Sequence, residues 1–429
     1  MQIIKYPARN TWQELLKRPA NDYASIVVSV KEILNDIKVN GDNALSFYTQ
    51  KFDGPSLSGF RVTDNEWNMA EETDINLRQA IDTAIKNITL FHSAQAEQAN
   101  VVEVAVGITC WRKSVGIEKV GLYIPGGTAP LFSTLLMLAI PAQLAGCREI
   151  IVCTPPDRNG AISPTILYAA KQLGISQLYK AGGVQAIGAM AYGTASIPKV
   201  YKIFGPGNSY VTCAKMLLAA EGIAIDMPAG PSEVAVLADE SCRPEFVAAD
   251  LLSQAEHGID SQTLLVTDNE NVINEVNECI AMQIDALPRK EIAAKALANS
   301  KAILVKDLSE GIELLNDYAP EHLIISCSNS DSLANDVINA GSVFLGNYSP
   351  ESAGDYATGT NHTLPTNGFA KAYSGVSLDS FIKKITFQKL SQNGLQSISD
   401  TVKQMALAEG LDAHANAITI RTNQVYEQL

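Results

Sequence analysis

The sequence predicts an α/β protein built from two parallel-sheet domains, with helical additions at both ends. Three observations predict it. From residue 120 onward, short apolar runs alternate with helix-length segments. A second such series begins near residue 233. Outside both series, the apolar residues fall at helical rather than alternating spacing.

Near the N-terminus, the stretch from 22 to 100 reads as mainly helical. Ile26, Val27, Val30, Ile33, Leu34 and Ile37 recur at i, i+3, i+4 spacing, and Gly41 follows as a stop. A second amphipathic helix is expected from 75 to 92. The first sheet series opens with VGLYI (120–124), which ends in a PGG turn and leads into the helix-like LFSTLLMLAIPAQLAG. EIIVCTP (149–155), a helix at 162–173, SQLYKAGG (176–183) and YKIFGPGN (201–208) continue it. EVAVLAD, PEFVAADLLSQAEHG, TLLVTD, AILV, HLIIS and SVFLG supply the second series. Residues 346–375 are too rich in Gly, Ser, Asn, Thr and Pro for a core, and the chain after 375 reads as helical to Leu429.

The chain has 429 residues, 46% hydrophobic and 18% charged, enough apolar material for two or three packed cores. No apolar run reaches the length of a membrane span. The segment MQIIKYPARNTW lacks the basic, apolar and small-residue regions of a secretory signal, so the cytoplasm is the expected compartment. A net charge of −14 argues against nucleic-acid or anionic-membrane partners. Seven cysteines are scattered without a CxxC pair and read as small buried hydrophobes in a reducing compartment.

Histidine is the informative residue. There are five, and four lie at or beyond residue 257. In SQAEHG, Gln254 and His257 share a helix face and can offer two donors to one metal ion. Taken alone, the same pattern reads first as a helix C-terminus, where a positive charge before Gly258 is favourable. In YAPEHLII, Glu321 and His322 stand at the entrance of an apolar strand, on the rim of a sheet where α/β sites lie. A neutral histidine is a competent base near neutrality, and the adjacent carboxylate can orient a water or the ring. Alternatively the pair is ordinary surface chemistry. The loop SPESAGDYATGTNHTLPTNG packs Glu351, Asp355, Asn361 and His362 together, and the C-terminal segment adds Glu409 and His414. A Gln/His/Asp/His donor set is therefore available, of a kind suited to zinc, manganese or cobalt. No GxGxxG follows a strand, yet GLYIPGG, KAGGVQA and FGPGN each place glycines between strand and helix, where backbone N–H groups can receive phosphate.

As a set, GLYIPGGTAPLFSTLLMLAIPA, KIFGPGN, AIDMPAGPSEV, DLLSQAEHG, PEHLII, GSVFLG and SPESAGDYATGTNHTLPT resemble the signature blocks of the histidinol dehydrogenase family, in the family's order and across nearly the whole chain. The resemblance implies two incomplete Rossmann-like, aldehyde-dehydrogenase-like domains in a zinc homodimer. Such an enzyme oxidises L-histidinol through a bound aldehyde to L-histidine with two NAD molecules. It implies zinc ligands at Gln254, His257, Asp355 and His414, a base at His322 for the alcohol proton, and Glu321 as activator of water. Ser232, His362 and Glu409 match substrate-contacting positions, together with the zinc ligands and His322; Tyr123, Gln185 and Asn208 match positions along the nicotinamide cofactor. The expected segments are a helical N-terminal region (1–115), a cofactor-side sheet domain (116–233), a metal-bearing sheet domain (234–374) and a helical tail (375–429). That tail reaches the partner, so Glu409 and His414 would complete the neighbouring subunit's site. A metal-dependent hydrolase would use the same donors with Glu321 activating water, and a noncatalytic metal- or nucleotide-binding protein would not need Glu321 and His322.

Overall fold

The computed structural model describes residues 1–18, 23–126 and 130–423. Asp22, the Gly127 end of the PGG turn and the last six residues to Leu429 lie outside the described residues. By internal packing the chain divides into two compact units, one formed by residues 1–95 and 117–381, the other by 96–116 and 382–429.

The first unit holds both parallel sheets. One has five strands in the order Leu178–Lys180, Glu149–Thr154, Lys119–Tyr123, Lys202–Phe204, Ala224–Ile225. The other has six, in the order Gln2–Lys5, Lys301–Leu304, Gln262–Thr267, Glu233–Ala238, His322–Ser326, Ser342–Leu345. Each series starts in the middle of its sheet, runs to one side, then returns to the other. The strand order therefore reverses beside Lys119–Tyr123 in one sheet and beside Glu233–Ala238 in the other, which opens a crevice at each switch point.

Both sheets are covered on both faces, which is why their strands are continuous apolar runs rather than alternating ones. In the first, Val120 and Leu122 pack into one apolar cluster while Tyr123, Ile151 and Cys153 pack into another. In the second, Val234 and Val236 face one cluster, and Ala235 and Leu237 the other. The helix Phe132–Leu144 is apolar all round and buries Leu135, Leu136, Met137 and Leu138 because it is enclosed by neighbouring elements. In the helix Tyr23–Asn40, Val30, Ile33, Leu34 and Ile37 are buried, as the i, i+3, i+4 spacing requires. The helix expected at 75–92 spans Ile75–Ser93, capped by Asp74, whose side chain accepts from Asn76 N and Leu77 N. None of the seven cysteines forms a disulfide, and Cys153, Cys213, Cys242 and Cys327 are buried. No helix among the described residues is long and apolar enough to cross a membrane.

Strands replace helix in three places. Gln2–Lys5 pairs in parallel with Lys301–Leu304 at the sheet edge. Four residues, three of them exposed, held by a partner some 300 positions away leave no local period to read. Val101–Ala105 and Ile108–Gly116 form an antiparallel pair, and Ile382–Leu390 joins Ile108–Gly116 to complete a three-stranded sheet in the second unit. The stretch after 375 therefore enters this unit as a strand, not as the helix expected there. Ile382 and Ile385 imitate helical spacing, and the long-range pairing overrides it. The helices Gln392–Ala408 and Asp412–Thr422 follow. Among the described residues of this unit the buried apolar side chains are Ile108, Ala406 and Ala415, while Val101, Val104, Phe387, Met405 and Leu411 are exposed.

Candidate active site

His322 opens its strand and Glu321 precedes it; both are buried. Their side chains converge on one residue of the adjacent strand. The backbone N–H of Glu233 donates to Glu321 Oε2 at 2.8 Å, and the Glu233 carbonyl lies 3.1 Å from His322 Nδ1. A carbonyl can only accept, so Nδ1 carries a hydrogen, and whenever the ring is neutral its lone pair is at Nε2. Nε2 faces Asp355 Oδ1 at 3.6 Å without a hydrogen bond. Burial works against a charged His322, and the carboxylates of Glu321, Glu351 and Asp355 outweigh it, raising its pKa above the ordinary value. Burial pushes Glu321 up to about 7.

The pair sits on a sheet rim, as expected, but at the amino end of the strands, whereas sites of open parallel sheets usually gather at the carboxyl end. The polar loop is what completes it. Pro350 starts the short helix Glu351–Tyr356, on which Glu351 and Asp355 are four residues apart and share a face. His322, Glu351 and Asp355 bring one donor atom each to within 4.8 Å of one another. Burial raises Glu351 to about 8. Burial also pushes Asp355 upward, but the imidazole of His322 outweighs it and holds Asp355 below its ordinary value.

Several buried polar atoms here have no hydrogen-bond partner: Oε1 and Nε2 of Gln254, Nε2 of His322 and Oε2 of Glu351. An unpaired buried polar atom costs about 1–3 kcal/mol, so His322 Nε2 and Glu351 Oε2, which lie in the close group, and the two Gln254 atoms each call for a group that satisfies them. Oxygen and imidazole nitrogen donors fit zinc. Gln254 lies in the last turn of the helix Pro244–Ala255 and is fully buried; His257 follows, its N–H donating to Gln254 O, outside the close group, with burial of its ring lowering its pKa and Asp355 opposing that. His362 donates through Nδ1 to the Asp355 carbonyl at 2.9 Å, and its Nε2 lies 3.3 Å from Thr134 Oγ1. Ser232 is half-buried, immediately before Glu233. Glu409 and His414 belong to the second unit, at the end of Gln392–Ala408 and within Asp412–Thr422, and both are exposed. Glu351 belongs to the polar loop, but its four-residue spacing from Asp355 is the signal that would have given it a place among the donors.

At the carboxyl ends of the five-stranded sheet lies a cleft of about 1190 Å³, lined by Tyr123, Gln185 and Asn208 and also by Asp53. That volume suits a dinucleotide-sized ligand. Tyr123 ends its strand and its hydroxyl accepts from Gly183 N at 3.0 Å. Gln185 donates to Asp53 Oδ2 at 3.2 Å while its own Oε1 is unpartnered. Asn208 caps the helix Ser209–Ala220, accepting from Tyr210 N and Val211 N, so those two N–H groups are already satisfied. Gly205, at φ +126°, is required: a Cβ there would collide with the Tyr123 carbonyl oxygen. Its N–H is held by Asp226, and its carbonyl by Lys215, the two forming a buried ion pair. Asp53, raised to about 6 by burial, is absent from the sequence reading because it lies in a segment that reads only as helix.

Known proteins resemble this chain over nearly all its length. The sequence profile described as histidinol dehydrogenase matches residues 16–422. The histidinol dehydrogenase of Bacteroides thetaiotaomicron is 60% identical over 424 residues, 99% of each chain. The chloroplastic histidinol dehydrogenase of Arabidopsis thaliana is 51% identical over 414 residues, 96% of this chain and 89% of that protein. The crystal structure of histidinol dehydrogenase from Elizabethkingia anophelis superposes with a TM-score of 0.95 at 53% identity, covering 98% of both chains. Nothing in these comparisons supports a hydrolase. A match of this length, with the buried acid–imidazole pair in place, makes the chain a member of the histidinol dehydrogenase family.

Proposed function

We propose that the site oxidises L-histidinol to L-histidine by way of L-histidinal, with NAD as the acceptor in both steps and zinc as the resident metal. The observation that carries the reading is the fixed tautomer of His322, whose Nδ1 is committed to the Glu233 carbonyl. Its Nε2 is therefore the atom that takes the alcohol proton. Glu321 stands beside it with one oxygen held by Glu233 N, and the carboxylate removes a proton from the water that hydrates the aldehyde. Burial brings its pKa close to neutrality, where a general base works best.

Gln254, His257 and Asp355 are proposed zinc ligands, with His414 from a partner subunit as the fourth. Zinc held there would supply a Lewis acid to anchor the substrate, and NAD in the cleft would accept the hydride. Ser232, His362 and Glu409 are proposed to hold histidinol, and Tyr123, Gln185 and Asn208 to line the cofactor cleft. The exposed apolar residues of the second unit support a homodimer in which this unit docks on a neighbour. Free cysteines throughout suit a reducing compartment such as the cytoplasm.

Incubated with L-histidinol and NAD, the protein should generate NADH and histidine; a hydrolase generates no NADH. Metal analysis should find about one zinc per chain, since one imidazole–carboxylate site is proposed per chain. His257→Ala should lose most of it, and a variant with full metal and full activity would show the ligand assignment to be wrong. Occupancy should fall below about pH 6, because the imidazole ligands must be deprotonated to bind.

A further inference from the structure

We infer that Arg18 is a positioning residue for the Glu321–His322 pair, acting through Glu233. The inference rests on the roles proposed above for that pair.

Glu233 is the single residue that grips both groups, its N–H on Glu321 and its carbonyl on His322. What fixes Glu233 is its own side chain. The carboxylate is buried, with 2% of its surface exposed, and Arg18 holds it with a two-pronged contact, Nε to Oε1 at 2.5 Å and Nη2 to Oε2 at 2.7 Å. Oε1 also accepts from Asn367 N at 2.9 Å, at the end of the loop that carries His362. The same guanidinium donates to the carbonyl of Tyr318 at 2.8 Å and of Ala319 at 3.3 Å, and lies 3.9 Å over the Tyr318 ring. Ala319 adopts a left-handed conformation at φ +52°, the turn that leads directly through Pro320 into Glu321.

One planar group thus ties together the strand that orients the pair and the turn that delivers it. A planar fork of fixed geometry suits that task, and an ammonium does not reproduce it. Stability alone explains little, because apolar residues of similar volume often replace a buried ion pair without loss. The register of the chemistry explains more: a displacement of about 1 Å at the reacting groups costs on the order of a hundredfold in rate. Since Glu233 holds both groups, the loss should strike both oxidations together.

The test compares Arg18→Lys, Arg18→Met and Glu233→Gln with Glu321→Gln and His322→Ala, measuring histidinol and histidinal oxidation, zinc content and melting temperature. Arg18→Lys should lose about tenfold to a hundredfold in kcat per zinc-loaded site in both half-reactions, with KM for histidinol within about threefold and zinc content unchanged. Arg18→Met should lose more, and Glu233→Gln should resemble Arg18→Lys. A purely structural role would lower melting temperature or the loaded fraction and leave kcat per loaded site at the wild-type value; that result overturns the inference. So does loss confined to one half-reaction, or failure of all three variants to fold, since the contact would then serve folding. If Glu321→Gln and His322→Ala keep wild-type rates, the roles of the pair fail and the inference fails with them. If those two lose activity while folded Arg18 variants keep it, the inference alone fails.

Discussion

His322→Ala should slow histidinol oxidation by roughly 10²–10⁴, the usual worth of a general base. Nδ1 is committed to a backbone carbonyl, so in the neutral ring Nε2 is the atom that can take the proton, and Glu321 beside it has one oxygen held by Glu233 N. Glu321→Gln keeps the hydrogen bond from Glu233 N, so the fold of the rim should survive, but the amide cannot take a proton from water. Its principal loss should fall on histidinal oxidation, the step that consumes water. Supplying histidinol and histidinal separately to each variant measures the division. Equal damage to both steps in both variants would end it.

Mixing two inactive variants should restore activity. Glu409 and His414 lie on a unit with little buried apolar surface of its own, and both side chains are exposed. In a two-fold dimer whose subunits exchange this unit, a chain carrying His322→Ala and a chain carrying His414→Ala form one doubly damaged site and one intact site. About half of randomly paired dimers are mixed, so activity should return to about a quarter of wild type. Subunits that demonstrably mix while activity stays at the level of the separate variants would mean that each chain completes its own site.

Much of this was legible in the residues, for physical reasons that also mark the limit. Runs such as EVAVLA and HLIIS are buried on both faces, so their composition alone signals parallel strands. The pairing of Glu321 with His322 at a strand entrance was visible for the same reason. Strands defined by partners far away were not: Gln2–Lys5 and Ile382–Leu390 owe their conformation to pairing, and the latter carries an apolar spacing that also fits a helix. Likewise no local pattern points to Arg18, whose partners are Glu233 and Tyr318, or to Asp53 beneath Gln185. Glu351 could have been found, being four residues from Asp355.

Two oxidations at one centre are tested by the yield of NADH when a limiting amount of histidinol is consumed to completion by the zinc-loaded protein with excess NAD. Two NADH should form for each histidinol, with histidine as the product and no free histidinal released. A yield of one NADH with histidinal accumulating would contradict it.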